Sequence, residues 1–124
     1  MAGEYILVVD DNASDRFLMK SLLESEGYEV RAAGNAEEAL QELEALPPRA
    51  ILMNMQLPGT NGFELTRRIK SVPATQDIVV IAVTAYAMKD DEQRALDAGC
   101  DGYVSKPIDT RTLSSTIAAY IHGR

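Results

Sequence analysis

The chain has 124 residues, 46% of them hydrophobic, a formal net charge of -7 and a single cysteine, Cys100. This is the size of one domain, 1–124, with enough apolar residues to bury a core unaided. It excludes an intrachain disulfide and a multi-cysteine metal cluster, and the negative charge argues against nucleic acid as a partner.

Tyr5-Ile6-Leu7-Val8-Val9 is an almost unbroken aliphatic run, as in a strand covered on both faces of a parallel sheet. It ends in Asp10-Asp11. Asn12 is a helix cap, Leu18, Leu22 and Leu23 carry the helical spacing to about residue 26, with Phe17 and Met19 nearby, and Gly27 is placed to end the helix. Tyr28 to Ala33 reads as a second strand. Asn35 caps a second helix with Ala36, Ala39, Leu40 and Leu43 on one face, and Pro47-Pro48 ends it. Ala50 to Asn54 is a third strand, punctuated by Pro58, Gly59 and Gly62. Phe63, Leu65, Ile69 and Val72 predict a third helix closing near Pro73. Ile78 to Val83 is the most continuous apolar run and predicts a central strand with Thr84-Ala85 at its end. Met88 to Ala98 predicts a helix stopped by Gly99. Gly102 to Ser105 is a short fifth strand running into Lys106-Pro107. Asp109 or Thr110 caps a last helix with Leu113, Ile117 and Ile121 facing inward.

Strand followed by helix, five times, predicts an α/β fold with a parallel sheet covered on both faces. The flavodoxin-like strand order 2-1-3-4-5, doubly wound, is the simplest solution for five such units. No apolar run reaches membrane-spanning length, and Met1-Ala2-Gly3-Glu4 lacks the features of a signal peptide. The expectation is a cytoplasmic protein with no membrane partner.

The informative residues fall at the carboxyl ends of the strands, where open α/β sheets place their sites. The first strand gives Asp10 and Asp11, the third Asn54, the fourth Thr84 and the fifth Lys106. Singly, each has a bland reading: a solvated turn, a structural threonine, a surface lysine. On one shared rim they make a site. Two carboxylates can hold a hard cation such as Mg²⁺, with further oxygens from the side chain of residue 54 and a backbone carbonyl nearby, such as that of Gln56. A hydroxyl at Thr84 and an ammonium at Lys106 would bracket an anion against that metal, an arrangement that stabilises a transferring phosphoryl group. A carboxylate can serve as the nucleophile by forming an acyl phosphate.

With Val8-Val9-Asp10-Asp11-Asn12, the run Ile51 to Gly62, Val83-Thr84-Ala85 and Gly102-Tyr103-Val104-Ser105-Lys106-Pro107 in this order, the chain resembles a receiver domain of the two-component response regulators over nearly its whole length. Thr84-Ala85-Tyr86-Ala87-Met88-Lys89 is similar to single-domain receivers related to cell-cycle regulators. The resemblance implies a stand-alone switch rather than an enzyme. A histidine kinase or phosphotransfer protein donates a phosphoryl group to an aspartate at the end of the third strand, and a downstream target protein reads the result. Asp10 and Asp11 would help bind Mg²⁺, with Asp11 a direct ligand. Lys106 and Thr84 would contact the phosphoryl group, and Ala85 would leave room for water to hydrolyse it. Tyr103 would turn inward to alter the surface of the fourth helix, fifth strand and fifth helix, and the Lys106-Pro107 bond would be cis. Phe17, with Arg16 and Lys20, would face the kinase or phosphotransfer partner.

The departure is Asn54, which stands where the family has its acceptor aspartate. An amide carries no charge, and its nitrogen lone pair is delocalised, so residue 54 is no nucleophile. The chain is expected to be phosphorylation-deficient, with Mg²⁺ affinity reduced by the loss of one of three negative charges. Two explanations compete: a substitution that blocks an otherwise active receiver, which the presence of every other site residue favours, or a natural atypical receiver that signals by binding alone. With the anion at position 54 gone, Lys106 is expected to lean towards Asp10 or Asp11. A metal-dependent phosphohydrolase is disfavoured because 124 residues leave no room for a cap. Cys100 reads as a small core residue, His122 as solvated, and Arg67, Arg68 and Lys70 as a solvated helix face.

Overall fold

The computed structural model describes residues 5–55, 62–84, 89–106 and 108–122. The elements alternate as read from the sequence: β1 (Tyr5–Val9), α1 (Ala13–Ser25), β2 (Glu29–Ala33), α2 (Ala36–Ala45), β3 (Ala50–Asn54), α3 (Gly62–Ser71), β4 (Val79–Thr84), α4 (Lys89–Ala98), β5 (Gly102–Ser105) and α5 (Leu113–His122). The strands form one sheet in the order β2-β1-β3-β4-β5, every pair parallel. This is the flavodoxin-like doubly wound arrangement.

Strand alternation sorts the core into two layers. Tyr5, Leu7 and Val9 of β1, with Ile51 and Met53 of β3 and Val80 and Ala82 of β4, pack beneath α2, α3 and α4. Ile6 and Val8, with Leu52, Ile81 and Val83, pack against Met19 and Leu23 of α1 and Leu113, Ile117 and Ile121 of α5. All five residues of β1 and of β3, and all six of β4, are buried. That explains why these runs show no polar alternation in the sequence.

Local signals set the helix ends. The Asn12 side chain accepts from Asp15 N at 3.0 Å and the Asn35 side chain from Glu38 N at 2.8 Å, each satisfying a donor in a first turn. Gly27 and Gly99 close α1 and α4 at φ +94° and +104°, the left-handed conformation that an L side chain resists.

Several expectations shift. The buried stripe of α1 is Met19 and Leu23, one turn apart, while Leu18 and Leu22 are half-buried. Tyr28 precedes β2 rather than opening it, and β4 runs one residue later than expected, which makes Thr84 its last member. Val72 lies beyond the end of α3 and is 47% exposed, because the chain leaves the helix at Ser71 before a further inward position occurs. Asp109 organises a turn ahead of α5: its carboxylate accepts from Arg111 N at 2.9 Å and its carbonyl from Leu113 N at 3.1 Å.

Lys70 is not part of a solvated face. Its ammonium donates to Ile78 O at 2.7 Å, Gln76 O at 3.3 Å and Asp101 Oδ2 at 2.7 Å. Asp101 Oδ2 in turn accepts from Val80 N at 2.9 Å. The cluster clamps α3 to the amino-terminal ends of β4 and β5, the edge opposite the predicted site. Arg67 and Arg68 are exposed, as expected.

Candidate functional site

The strand order puts β1 and β3 side by side with Val9 opposite Met53, so Asp10 and Asn54 emerge together. On the far side of β3, Asn54 pairs with Val83, and Thr84 pairs with Ser105. The ladder continues past the strand ends through Met55 N to Val83 O at 3.0 Å and Lys106 N to Thr84 O at 2.7 Å. Asp10, Asn54, Thr84 and Lys106 therefore share one rim although they come from four strands.

Asp10 is fully buried. An ionised carboxylate at such a place needs donors or a counter-charge. Its Oδ1 accepts from Asn12 N at 2.9 Å and from Asn54 Nδ2 at 3.3 Å. Its Oδ2 lies 2.9 Å from the Lys106 ammonium but has no aligned hydrogen bond among the described residues. The contact is an ion pair, and that oxygen keeps unsatisfied acceptor capacity. Arg16 donates to the Asp10 carbonyl at 2.7 Å, which fixes the backbone from the α1 side.

Asn54 is buried and donates from the same Nδ2 to Asp11 Oδ1 at 3.1 Å. The amide orientation follows from these neighbours, since two carboxylate oxygens require its donor end. Asp11 itself is exposed. The amide nitrogen thus bridges the two carboxylates.

Lys106 has two carboxylate partners, Asp10 and Asp15 Oδ2, each at 2.9 Å. Burial works to lower its pKa, but the close contacts and charges of Asp15 and Asp10 outweigh burial and hold it above the ordinary lysine value. Thr84 is buried at the end of β4, and Tyr103 is half-buried against the layer beneath α2, α3 and α4. Gln56, Ala85 and Pro107, and with the last the Lys106-Pro107 bond, lie outside the described residues.

Gly62 closes the other wall. A Cβ there would stand 2.7 Å from Met55 Cα and 2.8 Å from Asn54 O, so only glycine lets the start of α3 approach the end of β3 this closely.

Asp10 and Asp11 are oxygen donors of the kind a hard cation takes, and the unsatisfied Asp10 Oδ2 fits such an ion; the Asn54 amide, whose nitrogen faces both carboxylates here, would have to turn its oxygen towards them to join. Among the described residues no group of three or more histidine, cysteine or acidic side chains is placed to hold a metal. The acidic set is therefore a pair plus an amide.

Sequence reasoning did not assign Asp15 to this site. Its signal was present but had an ordinary explanation: an acid in the third position after an Asn cap suits a helix N-terminus. Arg16, expected to face a partner, also braces Asp10. Of its two companions, Phe17 is 73% exposed and Lys20 is paired with Glu24 at 2.6 Å. Cys100 is buried, as read.

The response regulator receiver domain family model matches residues 6–118. The polar-differentiation response regulators DivK of Brucella anthropi and Brucella ovis are each 40% identical over 116 residues, covering 94% of both chains. Among solved structures, a CheY-like receiver domain protein from Methanospirillum hungatei superposes with a TM-score of 0.88 at 32% identity, covering 97% of this chain and 94% of that one. A response regulator from Chloroflexus aurantiacus gives 0.91 at 28% identity, with 96% and 98% covered.

Proposed function

This chain belongs to the response regulator receiver domain family, and from that premise we propose that it is a two-component signalling switch whose phosphoryl-accepting position cannot accept. The observation that carries this reading is the Asn54 side chain. It stands at the centre of the rim and presents a hydrogen-bond donor to Asp10 and Asp11 where the chemistry needs a nucleophile. The chain acts as a switch and not as an enzyme.

The geometry supports the following roles. Asp10 and Asp11 would hold Mg²⁺, joined by the Asn54 oxygen once the amide turns over, and the ion would supply charge neutralisation for a phosphoryl group. Asp10, buried, accepts from Asn12 N and pairs with the Lys106 ammonium, and its backbone is braced by Arg16. Lys106 supplies the positive charge on the opposite side, within reach of an anion that outcompetes its carboxylate partners. Thr84 supplies a hydroxyl between β3 and β5, and Tyr103 ties that event to the β5 surface. Asn54 removes one negative charge from the cation's surroundings, so Mg²⁺ binds more weakly than with an aspartate there. As a receiver domain, the chain would take a histidine kinase or phosphotransfer protein as its partner, and a downstream target protein would read its state. No helix among the described residues is long and apolar enough to cross a membrane.

A second reading, an interaction module that never uses phosphate, is favoured by one observation. Asn54 and Lys106 already engage both carboxylates of the pocket from within the chain.

The test is labelling with a small acyl phosphate and Mg²⁺. The chain itself stays unlabelled. In Asn54→Asp, a carboxylate oxygen attacks phosphorus as the donor's P–O bond breaks, and one hydroxylamine-labile phosphate is gained, seen by mass spectrometry. Labelling of the unsubstituted chain, or a folded Asn54→Asp that takes no phosphate, overturns the proposal.

A further inference from the structure

The Lys106 ammonium occupies the one side of Asp10 that hydrogen bonds leave open. Asp10 Oδ1 is taken by Asn12 N and Asn54 Nδ2, whereas Oδ2, fully buried, has among the described residues only the ion pair with Lys106 at 2.9 Å. A lysine on a flexible stem with a single partner would exchange between that partner and water at modest cost. This one has a second carboxylate at the same distance. Asp15 Oδ2 reaches it at 2.9 Å with good hydrogen-bond geometry, from the first turn of α1. The Lys106 side chain is 18% exposed and that of Asp15 31%, so the pair is partly shielded from water and salt.

We propose that Asp15 is a positioning residue that sets how tightly the pocket takes a divalent cation, by holding the Lys106 ammonium on the Asp10 oxygen that the cation would use. The inference rests on reading the rim as a cation site. A cation that ligates Asp10 through Oδ2 must displace the ammonium, and the bridge to Asp15 adds to the cost of moving it. Asp15 therefore works against the cation even though it is itself an anion. This is opposite in sign to its simple Coulomb effect, and the difference in sign makes the idea testable.

The experiment is a double-mutant cycle read by calorimetric titration with Mg²⁺ alone. The chain, Asp15→Asn, Lys106→Met and the double variant are compared, each shown folded by circular dichroism. With Lys106 present, Asp15→Asn releases the competitor and tightens Mg²⁺ binding by about threefold or more, the scale of a partly shielded ion pair. In the Lys106→Met background there is no competitor to release, and Asp15→Asn leaves binding unchanged or weakens it. A second readout is the Lys106 ammonium resonance in nitrogen-15 spectra, which is distinct in the chain and moves to the solvated lysine position in Asp15→Asn.

An equal effect of Asp15→Asn in both backgrounds would show that Asp15 acts by charge alone and would overturn the inference. So would an absence of Mg²⁺ binding by Asp15→Asn. Asn54→Asp separates the two levels of failure. If it binds Mg²⁺ while the cycle shows no coupling, the inference falls and the cation site stands; if it binds none, both fall.

Discussion

Replacing Asn54 with aspartate changes two hydrogen bonds into two repulsions. The amide nitrogen lies 3.3 Å from Asp10 Oδ1 and 3.1 Å from Asp11 Oδ1, and Asn54→Asp puts a carboxylate oxygen in that place. The lost hydrogen bonds are each worth about 1 kcal/mol. Two like charges about 4 Å apart repel by about 4 kcal/mol at an effective dielectric near 20. Two features reduce the sum. Asp11 is exposed, so water screens its share, and Lys106, already 2.9 Å from Asp10, can turn towards the new charge. The net expectation is that the metal-free Asn54→Asp chain is less stable by about 2–4 kcal/mol. A cation reverses this, because it binds the folded site and meets three carboxylates instead of two. At about a hundred times its dissociation constant, Mg²⁺ adds about 2.7 kcal/mol. The chain has no tryptophan, so urea unfolding is followed by far-ultraviolet circular dichroism, with EDTA and then with Mg²⁺. The Asn54 chain should unfold later than Asn54→Asp in EDTA, and Mg²⁺ should close most of the gap. An Asn54→Asp chain as stable as its parent in EDTA, or an equal Mg²⁺ effect on both, would refute the account of Asn54 as an internal donor to the two carboxylates.

At the opposite edge of the sheet, Lys70→Met strips the donor from the Ile78 and Gln76 carbonyls and the counter-charge from Asp101. With both side chains of the pair below 20% exposed, the loss should be about 2 kcal/mol in a urea midpoint, with the Mg²⁺ response unchanged; a shift of surface size would contradict the clamp. Burial pushes the Cys100 thiol from 9.0 up to about 11. The native chain should therefore resist a thiol-specific reagent at neutral pH and react once unfolded. A raised folded value also means that this group's contribution to stability is complete below its unfolded pKa and is lost as pH rises from about 9 towards 11, which alkaline urea melts against a Cys100→Ala control would reveal.

The sheet was readable because its three inner strands, β1, β3 and β4, are apolar on both faces and because α1, α2 and α4 begin or end on residues with a backbone reason to be there, Asn12, Asn35, Gly27 and Gly99. The rim was readable for a topological reason: parallel strands deliver their carboxyl ends to one edge, so the last residue of each run suffices to compose the site. Contacts made by long side chains across elements were not readable. Arg67, Arg68 and Lys70 look alike as a string, and only the fold brings the Ile78 carbonyl and Asp101 within reach of the third. The Arg16 guanidinium reaches the Asp10 carbonyl because Gly34 has no side chain in its path: a Cβ there would meet Arg16 Nη1 at 3.2 Å. Asp15 escaped for another reason. Helix chemistry accounts for it fully as a first-turn acid, and a residue with a sufficient local explanation gives no hint of a second, distant one.

Asn54 and Asp15 bear on the same charge balance. With an aspartate at 54, the rim would carry its surplus of negative charge at the centre, and an outside cation would be the natural remedy. With Asn54, the centre becomes a donor to Asp10 and Asp11, and the nearby third carboxylate is that of Asp15, one helical turn outside. Lys106 sits between the inner and outer carboxylates, at 2.9 Å from each. The negative charge near Lys106 has in effect been displaced from the tip of β3 to the start of α1, and the ammonium is held on the inner carboxylate by the outer one. Such a pocket engages Asp10, Asp11 and Asp15 from within the chain but does not balance their charge. On the reading proposed above, a shift of the start of α1, next to the exposed Phe17, would carry Asp15 away from Lys106 and loosen that hold.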